Sequence, residues 1–74
     1  MSKTLPKYSL SKIASNVKSM RADHELTREQ LSKKAKVNYN TIIKLESGAN
    51  KNPTIKTLLG IASVFKCTVE DIIT

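Results

Sequence analysis

Metal and disulfide chemistry find almost nothing to work with in this sequence, which holds one cysteine, Cys67, and one histidine, His24, in 74 residues. A lone thiol forms no internal disulfide, and no Cys/His cluster has ligand spacing, so neither zinc nor a disulfide staples the fold. A reducing cytoplasm suits such a chain and is the expected location. Glycine is scarce as well, Gly48 and Gly60 being the 2 present, and neither belongs to a phosphate-binding loop or a G-x-S-x-G nucleophile turn. With no carboxylate pair in a plausible pocket and no thiol with a histidine partner, the residues offer no catalytic machinery. The expectation is a non-enzyme without cofactor, metal or small-molecule ligand. Long apolar runs are missing too: no segment approaches the roughly 20 residues that span a bilayer, and the first ten residues hold none of the apolar core of a signal peptide. The protein is expected to be soluble and not exported.

What is present is positive charge. Lysine and arginine total 13 against 6 acidic residues, a formal net charge of +7. In a domain this small such a balance favours a polyanionic partner, because each phosphate neutralised by a lysine or arginine releases condensed counterion. Charge alone ranks nucleic acid only slightly ahead of a bland solvated surface. The length sets one domain, near the size at which a single core becomes marginal.

Apolar spacing then divides the chain. Met1 to Ser9 is polar, contains Pro6 and reads as a flexible arm, leaving 10–74 as the domain. Leu10, Ile13, Val17 and Met20, with Ala14 beside them, describe a helix ending near Asp23. Thr27 caps a second helix, with Gln30 three residues on completing a reciprocal capping box, and Leu31 and Ala35 share its buried face. The chain restarts at Asn38, a favoured cap, and Ile42 with Leu45 continues the stripe, Val37 filling the corner. A loop follows from Glu46 to Pro53. Thr54 caps a fourth helix carrying Ile55, Leu58, Leu59, Ile61, Ala62 and Phe65, apolar around much of its girth and so expected to be central. Gly60 within it costs about 1 kcal/mol relative to alanine. Thr68 with Asp71 repeats the capping box and opens a short last helix through Val69, Ile72 and Ile73. The pattern is all-α, with five helices and no strand.

The pair of helices from Thr27 to Ser47 carries the functional signal. Once their shared apolar faces meet, Tyr39, Asn40, Thr41, Ile43 and Lys44 remain outside on the second helix. Most of these bond to a base edge or a phosphate, and such a helix is a candidate DNA reader. Tyr39 read in isolation is evenly balanced between base contact and an exposed residue of no consequence. Lys33, Lys34 and Lys36 read as a solvated face, Cys67 as a small buried hydrophobe, and His24 as too isolated for catalysis.

The blocks V-K-S-M-R at 17–21, L-T-R-E-Q-L at 26–31, I-I-K-L-E-S-G at 42–48, N-P-T-I at 52–55 and I-A-S-V-F-K-C-T-V-E-D-I-I at 61–73 fall in one order and register. In them the chain resembles the Xre family of helix-turn-helix regulators, the compact class that includes lambdoid phage repressors, over about residues 10–73. The resemblance implies a five-helix, lambda-repressor-like domain with its helix-turn-helix at about 27–47. It implies a regulator, in the sense of a repressor, bound to double-stranded DNA as a homodimer on a pseudo-palindromic operator, with the Asn38 to Leu45 helix in the major groove. Carried over position by position, Tyr39, Asn40 and Lys44 read bases, and Asn38 and Thr41 lie near a base or phosphate. Arg28, Ser47, Lys51 and Asn52 contact phosphate, and Arg21 with Glu46 forms a structural ion pair. The last two helices supply the dimer contact, with Phe65 to Ile73 as the candidate surface. Phage and mobile-element repressors use this module; so do toxin-antitoxin antitoxins, and that alternative would require a protein partner.

One departure bears on structure. Glu25, Lys36 and Lys66 stand where the family often has glycine, at helix ends that leave with positive φ. Either these corners take other turns or the domain tolerates the strain.

Overall fold

A computed structural model of the chain describes residues 10–50 and 52–74. The expected arm over 1–9, the side chain of Leu10 and the expected phosphate contact Lys51 lie outside the described residues. The remainder forms α1 (Leu10–Asp23), α2 (Arg28–Ala35), α3 (Tyr39–Ser47), α4 (Ile55–Phe65) and α5 (Val69–Ile73), with no strand among the described residues. Local chemistry starts four of them. Thr27 and Gln30 close the capping box of α2, the Thr27 amide donating to Gln30 Oε1 at 2.8 Å and the Gln30 amide to Thr27 Oγ1 at 3.0 Å. Thr68 and Asp71 repeat it at α5, while Asn38 and Thr54 cap α3 and α4. Each cap satisfies an amide that the first turn cannot bond internally.

One core unites the five helices. Ile13 and Val17 from α1, Leu31 and Ala35 from α2, Ile42 and Leu45 from α3, Leu58, Ile61, Ala62 and Phe65 from α4, and Ile72 from α5 are buried together. α1 packs on α3 and α5, α2 on α3 and α4, and α4 on α5. Asn16 ties the ends of this arrangement, its Nδ2 donating at 2.7 Å to the carbonyl of Ile72, one of the orphan acceptors of α5. Gly60 is explained by the approach of two helices: a Cβ there would lie 2.6 Å from the Ala35 carbonyl oxygen. The helix propensity it gives up allows α4 to close on the end of α2.

Two expectations need correction. α4 is not apolar-buried around its girth, since Ile55 and Leu59 are 64% and 56% exposed. Spaced four apart, they form a stripe on its outer side. Conversely, Phe65 to Ile73 offers little exposed apolar surface: Phe65 and Ile72 are buried, and Val69 and Ile73 pack partly against the core. α5 completes the core because, at five residues, it is held mainly by what it buries.

The three glycine-less corners do take the left-handed conformation, with φ of 55° at Glu25, 58° at Lys36 and 55° at Lys66. All three use the same closing bonds. The following amide reaches back to the last turn, Leu26 to Arg21 at 3.0 Å, Val37 to Ser32 at 2.9 Å and Cys67 to Ala62 at 3.0 Å, the six-to-one bond of a Schellman turn. Leu26, Val37 and Cys67 are each packed against the core. Burying an apolar side chain fully is worth about 1.5–3 kcal/mol, so even partial burial offsets the roughly 1 kcal/mol of backbone strain next to it. An apolar residue one step past the helix end thus replaces glycine as the stop signal.

Candidate nucleic-acid interface

α3 buries Ile42, Leu45 and Glu46 and leaves Tyr39, Asn40 and Lys44 exposed, with Thr41 and Ile43 half-buried at the margins. Asn40 and Lys44 are four residues apart and therefore stand in line along one face. Lys44 offers three donors and no acceptor, whereas the Asn40 amide offers both. The Asn38 carboxamide is committed in part: its Oδ1 accepts from the Asn40 amide at 2.8 Å, which leaves its Nδ2 as a donor. The Ser47 hydroxyl donates to the Lys44 carbonyl at 3.2 Å and accepts from the Ala49 amide at 3.3 Å, so it is engaged in closing the helix. Asn52 is exposed in the loop, with its backbone amide bonded to Asn50 Oδ1 at 3.0 Å.

The C-terminal turn of α3 holds a charge inside the domain. Glu46 is 4% exposed, and its carboxylate is shared by two arginines. Arg21 Nε donates to Oε2 at 2.7 Å and Arg21 Nη2 to Oε1 at 3.1 Å, while Arg21 Nη1 donates to the Leu26 carbonyl at 2.9 Å. Arg28 Nε donates to Oε1 at 3.0 Å. Burial pushes the Glu46 pKa up, but hydrogen bonds and charge from Arg21 and Arg28 outweigh it, and the carboxyl lies below its ordinary value. The Arg21 pKa is raised, chiefly by its hydrogen bond to Glu46. The two arginines differ in what they have left. Arg21, with a side chain 19% exposed, spends all three nitrogens on protein acceptors and stitches the end of α1 to α3. The Arg28 side chain, 46% exposed, spends only Nε on the described residues. Sequence reasoning gave Arg28 to phosphate and missed its tie to Glu46; the i-to-i+18 separation carries no periodic signal that would have shown it.

Two depressions flank the start of α3. One is bordered by Arg21, Glu25, Thr27, Arg28 and Tyr39, the other by Lys36, Asn38, Thr41, Lys56 and Thr57. Tyr39 and Thr41 are two residues apart, about 200° around the helix, so the depressions lie on opposite sides of α3. Lys36 and Lys56 were not among the expected contacts. Lys36 sits in the corner before α3 and Lys56 on the first turn of α4, a proximity set by the α2–α4 closure at Gly60. Cys67 is half-buried, and burial followed by the nearby Asp71 charge pushes its thiol up, away from the thiolate a redox switch needs. His24 lies over Phe65 with ring centroids 5.0 Å apart and serves packing.

A short capped helix held across a second by Leu31, Ala35, Ile42 and Leu45, with hydrogen-bonding groups outward and cations on both sides, defines a helix-turn-helix DNA-binding domain. The comparisons give the family: the model of the Cro/C1-type HTH DNA-binding domain matches residues 16–74, and the chain belongs to that family. Its relatives include an uncharacterized HTH-type transcriptional regulator of Archaeoglobus fulgidus, 41% identical over 56 residues, which are 76% of this chain and 78% of that protein. Another, from Methanocaldococcus jannaschii, is 43% identical over 56 residues, 76% of this chain and 83% of that one. Among solved structures, SinR, a master regulator for biofilm formation crystallised in complex with DNA, superposes with a TM-score of 0.81 at 22% identity, covering 84% of this chain and 98% of that one. ClgR, the clp gene regulator of Corynebacterium glutamicum, gives 0.75 at 22% identity, covering 90% and 71%. These two likenesses establish the lambda-repressor-like fold. These relatives are HTH-type transcriptional regulators, and no helix among the described residues is long and apolar enough to cross a membrane.

Proposed function

We propose that this protein is a sequence-specific transcriptional repressor that binds a pseudo-palindromic operator as a homodimer, with α3 in the major groove. The observation that carries the reading is the outward face of α3, where Asn40 and Lys44 stand in line on a helix flanked by cations on both sides. A helix lying in a groove has a phosphate backbone on each side, and cations placed there fix its register while base-edge groups select sequence. Asn40 suits a bidentate contact to adenine and Lys44 a guanine O6 or N7; Tyr39 packs on a thymine methyl or bonds a phosphate. Asn38, through its Nδ2, and Thr41 contact a base or phosphate at the edge. Arg28, Ser47, Lys51 and Asn52 contact phosphate, and Lys36 and Lys56 face the backbone on the Thr41 side of α3.

The homodimer is assigned to the outer stripe of α4. Ile55 and Leu59 are the large aliphatic side chains most exposed among the described residues, and apolar stripes of this kind favour a protein partner. Two copies related by a two-fold axis would read half-sites about 34 Å apart, one turn of B-DNA. A repressor of this form blocks polymerase by occupying its site, at a level set by its own concentration.

Selection of the protein against a random duplex library at near-physiological salt tests the reading. Recovery of an inverted repeat with half-site centres about 10 base pairs apart is the expected result. Recovery of no motif, with binding abolished by modest salt, would sink it and leave a basic helical domain without sequence preference.

A further inference from the structure

We infer that Glu46 is the positioning residue for Arg28: from inside α3 it aims the Arg28 guanidinium at a DNA phosphate and so ties backbone anchoring to the placement of the reading helix. The inference rests on the reading of Arg28 as a phosphate contact.

The geometry separates the two arginines that share the carboxylate. Arg21 has Nε, Nη1 and Nη2 all bonded within the protein, and it is a structural brace. Arg28 is joined to Glu46 through Nε alone. A guanidinium fixed by Nε keeps the edge formed by its two Nη groups, the edge that matches two oxygens of one phosphate. A free arginine loses rotamer entropy when it binds; one already tethered loses less. The depression that Tyr39 borders is lined by Glu25 and Glu29 as well as by the two arginines, so what Glu46 adds to Arg28 is orientation and not net charge. Because Glu46 belongs to α3 and is 4% exposed, a phosphate held by Arg28 bears on α3 through a rigid link and not through a flexible loop. A lysine at the same place has one nitrogen and cannot hold Glu46 while forking onto phosphate.

The sign of one substitution discriminates. Glu46→Gln makes the chain more positive by one charge, which by charge alone strengthens binding to a polyanion; loss of positioning weakens it. The experiment titrates a pool of random-sequence duplex by fluorescence anisotropy over a salt series with the parent, Arg28→Ala, Glu46→Gln and the double variant, each checked by thermal melting. Arg28→Ala is expected to lower affinity and reduce the salt slope by about one unit. Glu46→Gln is expected to weaken binding at least about threefold with Arg28 present and less than about twofold in the Arg28→Ala background, the non-additivity of directly coupled groups. An equal loss in both backgrounds would mean that Glu46 acts through Arg21 alone, and a gain in affinity would mean that Arg28 needs no guide; either overturns the inference. If Arg28→Ala changes neither affinity nor slope, the phosphate reading itself fails, which is a separate result. Should Glu46→Gln not fold, Arg28→Lys decides, since it keeps the charge and the Arg21–Glu46 pair. It is expected to lose most of what Arg28→Ala loses, and parental binding would overturn the inference.

Discussion

Helices α3 and α4 press the same kind of residue into one core, Ile42 and Leu45 from the first, Leu58, Ile61 and Phe65 from the second, yet they turn opposite chemistry outward. α3 shows Tyr39, Asn40 and Lys44; α4 shows Ile55 and Leu59. The inner faces fix the fold and say nothing of function, because any helix in this position needs them. The outer faces are free of that demand. On the proposed function, polar side chains on one and an aliphatic stripe on the other separate a surface for bases from a surface for protein.

The sharpest way to break the comparison is to attack what the two helices share. Leu45→Ala, at a side chain 1% exposed, is expected to cost about 2–5 kcal/mol, comparable to the whole stability of so small a domain. Urea or thermal melts should show a largely unfolded protein, with DNA binding lost as a consequence. Asn40→Ala and Lys44→Ala lie on the same helix and should leave the melt unchanged while reducing preference for the selected site by about 1–3 kcal/mol per lost base contact. Equal loss on selected and random duplex would remove them from the reading set.

The α4 stripe is tested by Leu59→Lys. On an exposed position the monomer should keep its stability to within about 0.5 kcal/mol, whereas a charge placed in an apolar contact should abolish self-association in sedimentation experiments. A variant that still sediments as a dimer would move the interface to another face.

These outcomes also measure how far the sequence alone carried. The four caps and the core of the described residues follow from Thr27, Asn38, Thr54, Thr68 and the apolar spacing, since both are local patterns read within one or two turns. The outer stripe of α4 was hidden because Ile55 and Leu59 look like core residues to any periodicity argument; only the packing of α2 and α5 on the opposite side decides which apolar face is covered. The Arg28–Glu46 bond was hidden for the related reason that it joins residues 18 apart in the chain through a three-way sharing that no pairwise pattern encodes. Lys36 looked like one of three solvated lysines until the Gly60 contact brought α4, with Lys56, alongside it.

The smallest effect comes from the helix ends, where α3 and α4 again differ. α3 stops at Gly48 with φ 83°, α4 at Lys66 with φ 55°. Both need the left-handed conformation, but only Gly48 adopts it without a Cβ penalty. Nothing lies within 4 Å of a Cβ built on Gly48, so Gly48→Ala has no clash to resolve and should cost about 1 kcal/mol from backbone strain alone. Lys66→Gly should act in the opposite sense and by less, raising stability by about 0.5 kcal/mol, because the strain it relieves is partly offset by the greater freedom glycine gives the unfolded chain. Chemical melts of the two variants measure both signs. If Lys66→Gly proved destabilising, the packing of Cys67 against the core would have to depend on the side chain before it, and the account of an apolar residue substituting for glycine as the stop signal would fail at that corner.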